Sequence, residues 1–527
     1  ITSGGNYNVT VGDEAGTAIT TGDQNVAVGF EALKANTTGQ RNTALGWNAL
    51  LSNTTAQGNT AVGAYAGDSN TTGADNTFIG YDTAPANTTG ASNTSLGSGS
   101  LHANTTASNN TAVGFQAGYL NTTGDLNTAV GKHALYANTT GVSNDAFGGE
   151  ALDANTTGNF NVSVGRASLT TNTTGSNNIA LGHASLGSNT TASNNTAVGY
   201  QAMNANTTGL RNTAIGTNAL DANTTANNNV AVGLDALGAN TTGTQNTAVG
   251  TYALDTNSTA DNNTAVGYAV LDANTTGSSN VAIGSSALQS NTTASDNTAV
   301  GYQALLTNTT GEDNTATGTS AMKENTTGSY NSAYGVLACD DNTTGGSNVG
   351  IGHSALRLNT TGASNTAVGE SALTSTTGAN NTAIGAGSGN AITSGTKNTI
   401  LGMFNGNQHS LDIRTASNNI VLSDGDGNPR VVVQQAGSKA NFLVGKTSAS
   451  IDDDGFMIHN GDYINATNTN GATAYFNRKG SDGDIVNFQN DGSSVGNISV
   501  SGSSTAYNTS SDHRLKENVD YTWDATT

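Results

Sequence analysis

Between Asn36 and Asn359 the triplet Asn-Thr-Thr, written once as Asn-Ser-Thr at Asn257, occurs 20 times. Asn-x-Ser/Thr is the acceptor pattern for N-linked glycan, so Asn36, Asn53, Asn70, Asn87, Asn104 and their successors are candidate modification sites. Sugar on all of them would sheathe one line of the molecule. The same residues suit a second role, because Asn tolerates left-handed turn geometry and stacks amide on amide as a hydrogen-bonded ladder. A periodic turn accounts for the recurrence without any glycan.

Other chemistry-bearing residues are sparser. Phe30, Trp47, Tyr81, Phe115, Tyr200, Tyr268 and Tyr302 share one place, directly after a recurring glycine. Rings in such a row can stack on sugars or pack between chains. Asp424 and Asp426 in "DGDGNP" begin like a calcium loop, but Pro429 stands where that loop needs Gly and the distal Glu is absent. A tight turn fits better. Cys339 is the single cysteine, which excludes an intrachain disulfide and a Cys-rich metal site. It takes a place otherwise held by Leu and reads as a small buried hydrophobe. The seven His residues include no pair with ligand spacing on one face, so no metal and no cofactor are expected.

What must position these residues is a repeat. Counting from Asn8, an Asn opens a unit every 17 residues through Asn365, and Asn381, one residue early, and Asn398 bring the total to 24. All units have Gly in fifth place, from Gly12 to Gly402, with an apolar residue before it except at Thr317 and Tyr334. Ninth place is usually Leu, as at Leu33, Leu50 and Leu220, with Ala before it. A 17-residue period is too short for a helix–turn–helix unit and suits one coil of a β-solenoid. Thr-Ala-Val alternates as a strand does, and Gly ends it where positive φ is wanted. The Ala-Leu pair predicts a second short strand and Asn-Thr-Thr-Gly a second turn, while the frequency of Asn, Thr and Gly excludes long helices. At roughly 4.8 Å per rung, 24 coils make a stiff spacer of about 115 Å.

Composition agrees. The chain has 527 residues with only 10% charged, 5% aromatic and 2 Pro, unlike flexible disorder, which is normally rich in charge and proline. A formal charge of −21 leaves no phosphate-neutralising surface, so nucleic acid is excluded as a partner. No apolar run approaches the ~20 residues of a membrane helix, so no membrane insertion is expected. The start at Ile1 lacks a Met or signal segment, and an N-terminal part carrying attachment or export signals is expected to be missing. If one Val and one Leu per coil are the buried apolar residues, the core is small against the entropy of ordering 17 residues. Three chains sharing a core are expected.

The unit resembles the Asn-Ser-Val-Ala-Ile-Gly repeat of trimeric autotransporter adhesin heads, the YadA-like left-handed parallel β-roll. The resemblance covers residues 8–402 and implies a homotrimer. The period here is longer than in that family.

After Gly402 the composition shifts, and the remaining 125 residues hold half of the 16 Lys and Arg. Segments such as "NNIVLSDGDGNPRVVVQQ" and "GDIVNFQNDGSSVGNISVSG" read as short strands joined by Gly/Asp/Asn turns. Ser511-Asp512-His513-Arg514-Leu515-Lys516 resembles the opening of the intramolecular chaperone domain of endosialidase-type phage tail spikes and fibres, and the residues before it resemble the trimeric stem leading into that domain. The resemblance implies that the domain templates trimerisation and cuts itself off, with Ser511 as nucleophile and Lys516 as base, because a Ser hydroxyl needs a proton acceptor and a desolvated Lys supplies one. A turn followed by a solvated basic strand is the plainer alternative.

The expected protein is all-β and homotrimeric: a parallel β-roll shaft over 1–402, a β-rich distal stem over 403–510, and a truncated chaperone over 511–527. Its expected work is mechanical, as a virion tail fibre or spike joined to a baseplate or tail through the missing N-terminal part and mediating attachment to a host cell-surface glycan or protein. A cell-surface adhesin or matrix filament, glycosylated on its Asn-Thr-Thr line, is the alternative. No enzyme activity is expected beyond self-cleavage at Ser511.

Overall fold

The computed structural model describes residues 7–459, 463–469, 482–490 and 493–509. Two compact units emerge, one of Ile1–Asn419 with Ser423–Asn428 and the other of Ile420–Leu422 with Pro429–Thr527.

The first unit is a parallel β-solenoid. Twenty-four strands of three residues, from Val9–Val11 to Thr399–Leu401, each pair in register with the next. The step is one repeat, as in Thr213↔Val230 and Ala214↔Ala231. The missing residue before Asn381 leaves the strands in register, with Thr366 still opposite Thr382.

One coil, residues 212–228, stands for the rest. Asn212 enters the strand Thr213–Ile215, whose central Ala214 points inward and is fully buried while Ile215 is 41% exposed. Gly216 then turns the chain at φ 138°. A Cβ there would lie 2.3 Å from the carbonyl oxygen of Gly233 in the next coil, so a side chain is excluded by both φ and backbone contact. Asn218, Leu220 and Asn228 follow at φ 52°, 55° and 59°. Left-handed geometry costs an ordinary residue about 1 kcal/mol or more, and here nearly every coil accepts it at two or three places. The compensation is pairing between coils: Leu220 N donates to Ala236 O at 3.0 Å, and Asn228 N to Leu210 O at 3.1 Å.

Two expectations are corrected. Each coil has one strand, not two, because the left-handed Leu bends the Ala-Leu pair into a turn. The core is Ala and Leu, as in Ala214, Ala219 and Leu220, and the residue before the glycine lies outside. In a three-residue strand the flanking side chains share a face opposite the central one, so burying Ala214 turns Thr213 and Ile215 outward.

The period of 17 also ends earlier than the roll. Asn419 follows Asn398 by 21 residues, yet its N donates to Asn398 Oδ1 at 3.0 Å and its Nδ2 to the same oxygen at 2.9 Å. Four inserted residues hide a further rung. In the second unit, Pro429–Ala436, Lys439–Val444, Gly455–His459 and Tyr463–Thr467 pair antiparallel in sequence order, as do Gly483–Asn490, Ser493–Ser501 and Ser504–Thr509. The described residues contain no helix long and apolar enough to cross a membrane.

Candidate functional site

Two asparagine columns run up the solenoid interior. In the first, Asn212 Oδ1 accepts from Asn229 N at 2.9 Å and Asn212 Nδ2 donates to Ala226 O at 2.8 Å. The second column is the Asn-Thr-Thr line. Asn53 Nδ2 donates to Asn36 Oδ1 at 2.8 Å and to Ala56 O at 3.2 Å, and Asn70, Asn87 and Asn104 repeat both bonds. Asn36, Asn53, Asn70, Asn87 and Asn104 are fully buried. A glycan on Nδ2 needs that nitrogen outside the coil and would break the column. In the folded chain these asparagines form the ladder, with Nδ2 inside the coil. Where Thr376 takes the asparagine's place in the next coil, Asn359 Oδ1 is left buried without a partner.

Asp424 closes the "DGDGNP" turn through its own carboxylate, which accepts from Asp426 N at 3.1 Å and Asn428 N at 2.9 Å. Cys339 is buried at the core Leu place, and burial pushes its thiol up to about 12, so no thiolate is available as a nucleophile. Among the described residues, no group of three His, Cys, Asp or Glu side chains is placed to hold a metal. Ser511 and Lys516, with the whole 511–527 segment, lie outside the described residues.

Three surface features were unread or only partly read in the sequence. The first is the outward apolar row before the glycines, including Leu45, Leu96, Ile215, Ile283, Ile351 and Leu401, each more than 40% exposed. The second is a set of carboxylates, Asp221, Asp255 and Asp272, that share the tenth place of their coils, with Asp235 close by. Asp255 is pushed up to about 6, first by burial and then by the charges of Asp272, Asp235 and Asp221. A folded-state value above the unfolded one means that the favourable contribution is full below about pH 4 and lost as pH rises through about 6. Asp255→Asn should therefore raise the thermal midpoint modestly at pH 7 and leave it unchanged at pH 4. An equal gain at both values would show that charge is not the cause.

The third feature is aromatic. Phe30, Trp47, Tyr65 and Tyr81 follow one another with ring centroids 5.9, 6.1 and 6.2 Å apart. Beyond Tyr81, His102 Nε2 lies 3.3 Å from Asp82 Oδ2 and its ring stacks on Tyr119 at 4.6 Å. Tyr119 stacks on Tyr136 at 5.2 Å with an interplanar angle of 5°, and His133 bridges Tyr136 and Phe115. Reading only the place after the glycine finds Phe30, Trp47, Tyr81 and Phe115. The rings at the seventh and tenth places were missed, and tabulating every column of the repeat would have found them.

Comparison with family models, with curated proteins and with solved structures finds no match for this chain.

Proposed function

We propose that this chain is the shaft of a homotrimeric attachment fibre, carried on a virion and holding a receptor-binding element away from the particle. The observation that carries the reading is the outward apolar row. It repeats coil after coil while the core inside a single chain is mainly Ala, Leu and Asn. Contiguous exposed apolar surface on that scale marks an interaction face, and in-register copies of the same chain match it residue for residue along the whole length. Shared burial of that row supplies the apolar area that one coil lacks. The work of the molecule is then mechanical, and no substrate turnover is assigned to it.

The test is the mass of the full chain in solution by light scattering. A particle of three 52.5 kDa chains is expected. A monomer at micromolar concentration would overturn the reading. Peptide mass spectrometry of the natural particle separates the virion assignment from a cell-surface filament: unmodified peptides ending at Ser511 support the self-processed fibre, and hexose-bearing asparagines on a chain continuing past Thr527 favour the filament.

A further inference from the structure

The aromatic strip departs from the repeat that builds everything around it. Seven consecutive coils, from the one opened by Asn25 to the one opened by Asn127, each place at least one ring on the segment between the invariant glycine and the Asn-Thr-Thr turn. Six rungs at roughly 4.8 Å make the strip about 29 Å long. Coils continue to Asn398, but beyond Tyr136 the ring contacts among the described residues are two isolated pairs, His183–Tyr200 and Tyr252–Tyr268. The core does not need these rings, since Phe30, Trp47 and Tyr81 are 43, 55 and 61% exposed.

We propose that this strip binds a neutral hexose oligosaccharide laid along the solenoid axis. A pyranose ring presents C–H bonds on its faces and hydroxyls around its rim. The faces suit the electron-rich faces of Tyr and Trp, and the rim needs acceptors and donors at the edges. The exposed rings of Phe30, Trp47 and Tyr81 supply the platform. At the edge of the strip His102 Nε2 and Asp82 Oδ2 lie 3.3 Å apart, each side chain about a third exposed. Ring nitrogen and carboxylate side by side suit the hydroxyls of a sugar rim. Charge selects the class of glycan. Glu31, Asp68, Asp82 and Asp153 outnumber Lys34 and Lys132 on this face, and the chain carries −21 overall, so an acidic polymer is repelled.

A second copy of this chain fits the strip less well. Contact between in-register copies would follow the repeat along its whole length, as the apolar row does, whereas the ring strip stops after seven coils. The proposal deepens the attachment reading and rests on it only for what brings the glycan to the fibre.

Affinity electrophoresis of the full chain through native gels containing dextran, mannan or galactan, with anionic alginate as control, tests it. Retardation is expected in at least one neutral gel and not in alginate. Trp47→Ser/Tyr81→Ser should abolish it, and Tyr200→Ser/Tyr268→Ser, outside the strip, should keep it. No retardation in any neutral gel, or unchanged retardation of the first double variant, overturns the proposal. So does a changed oligomeric mass of that variant, which would make the strip an interface between copies. A trimer that is never retarded removes the glycan site and leaves the fibre reading standing, and a retarded monomer does the reverse.

Discussion

Asn229→Asp is expected to lower the stability of the solenoid by about 3–5 kcal/mol at neutral pH, the cost of an uncompensated buried charge. The native amide is fully buried. Its Oδ1 accepts from Asn246 N at 2.9 Å, and its Nδ2 donates to Gly243 O at 2.9 Å. A carboxylate keeps the first bond but turns the second into an oxygen facing an oxygen. Protonation restores a donor toward Gly243, so the folded chain holds that proton to a pH well above the ordinary carboxylate value. The sign follows: stability is close to native below about pH 4 and falls as pH rises. Asn229→Ala is the control, because it strands the Asn246 N–H and the Gly243 carbonyl at a cost of about 1–3 kcal/mol that does not depend on pH. Denaturant midpoints from circular dichroism at the two pH values measure the effect. An Asp variant as stable as its parent at pH 7 would remove the column from the account of what holds the coils together.

A second large effect is expected where the repeat breaks its own volume rule. Phe78 occupies the strand centre that Ala holds in most coils, and it is fully buried. The preceding coil has Gly67 where Leu is usual, and a Cβ on Gly67 would lie 2.5 Å from Phe78 Cδ2. Ala84 in Phe78's own coil likewise stands where Leu is usual. Phe78→Ala should cost about 3–5 kcal/mol through the cavity it opens, and Gly67→Leu about 1–3 kcal/mol through overpacking. Together they recreate the usual Ala-and-Leu pair, and most of both losses should vanish. Leu is tolerated at this left-handed place, as Leu50 shows at φ 50°. Additive losses in the double variant would mean that Phe78 and Gly67 do not share one space.

A second pair of deviations meets at Cys339, where both residues are smaller than the usual Leu and Ala. The next coil has Gly350 at its strand centre, and a Cβ there would come within 2.6 Å of Cys339 Sγ. In both places a deviation in one column of the repeat is answered by a deviation in another. That signal is legible in the letters once the columns are known to touch, but the period alone does not say which columns touch.

By itself the sequence determined the period, the β-solenoid, the glycine corners and the ladder role open to its asparagines, because identical coils can stack only by placing identical residues in register. The tertiary structure decided what each column faces. The left-handed Leu removed the expected second strand, and the strand's alternation put Ala inside and the residue before the glycine outside. Letter patterns report periodicity but not the sign of a side chain's direction, which depends on how four positive-φ residues per coil close the backbone around the core. The column Oδ1–Nδ2 bonds withdrew Asn36 and its successors from the surface, and the run of rings from Phe30 to Tyr136 became one strip only when the seventh and tenth places were brought beside the sixth. Proximity between columns is created by the closure of the coil, and no spacing along the chain expresses it.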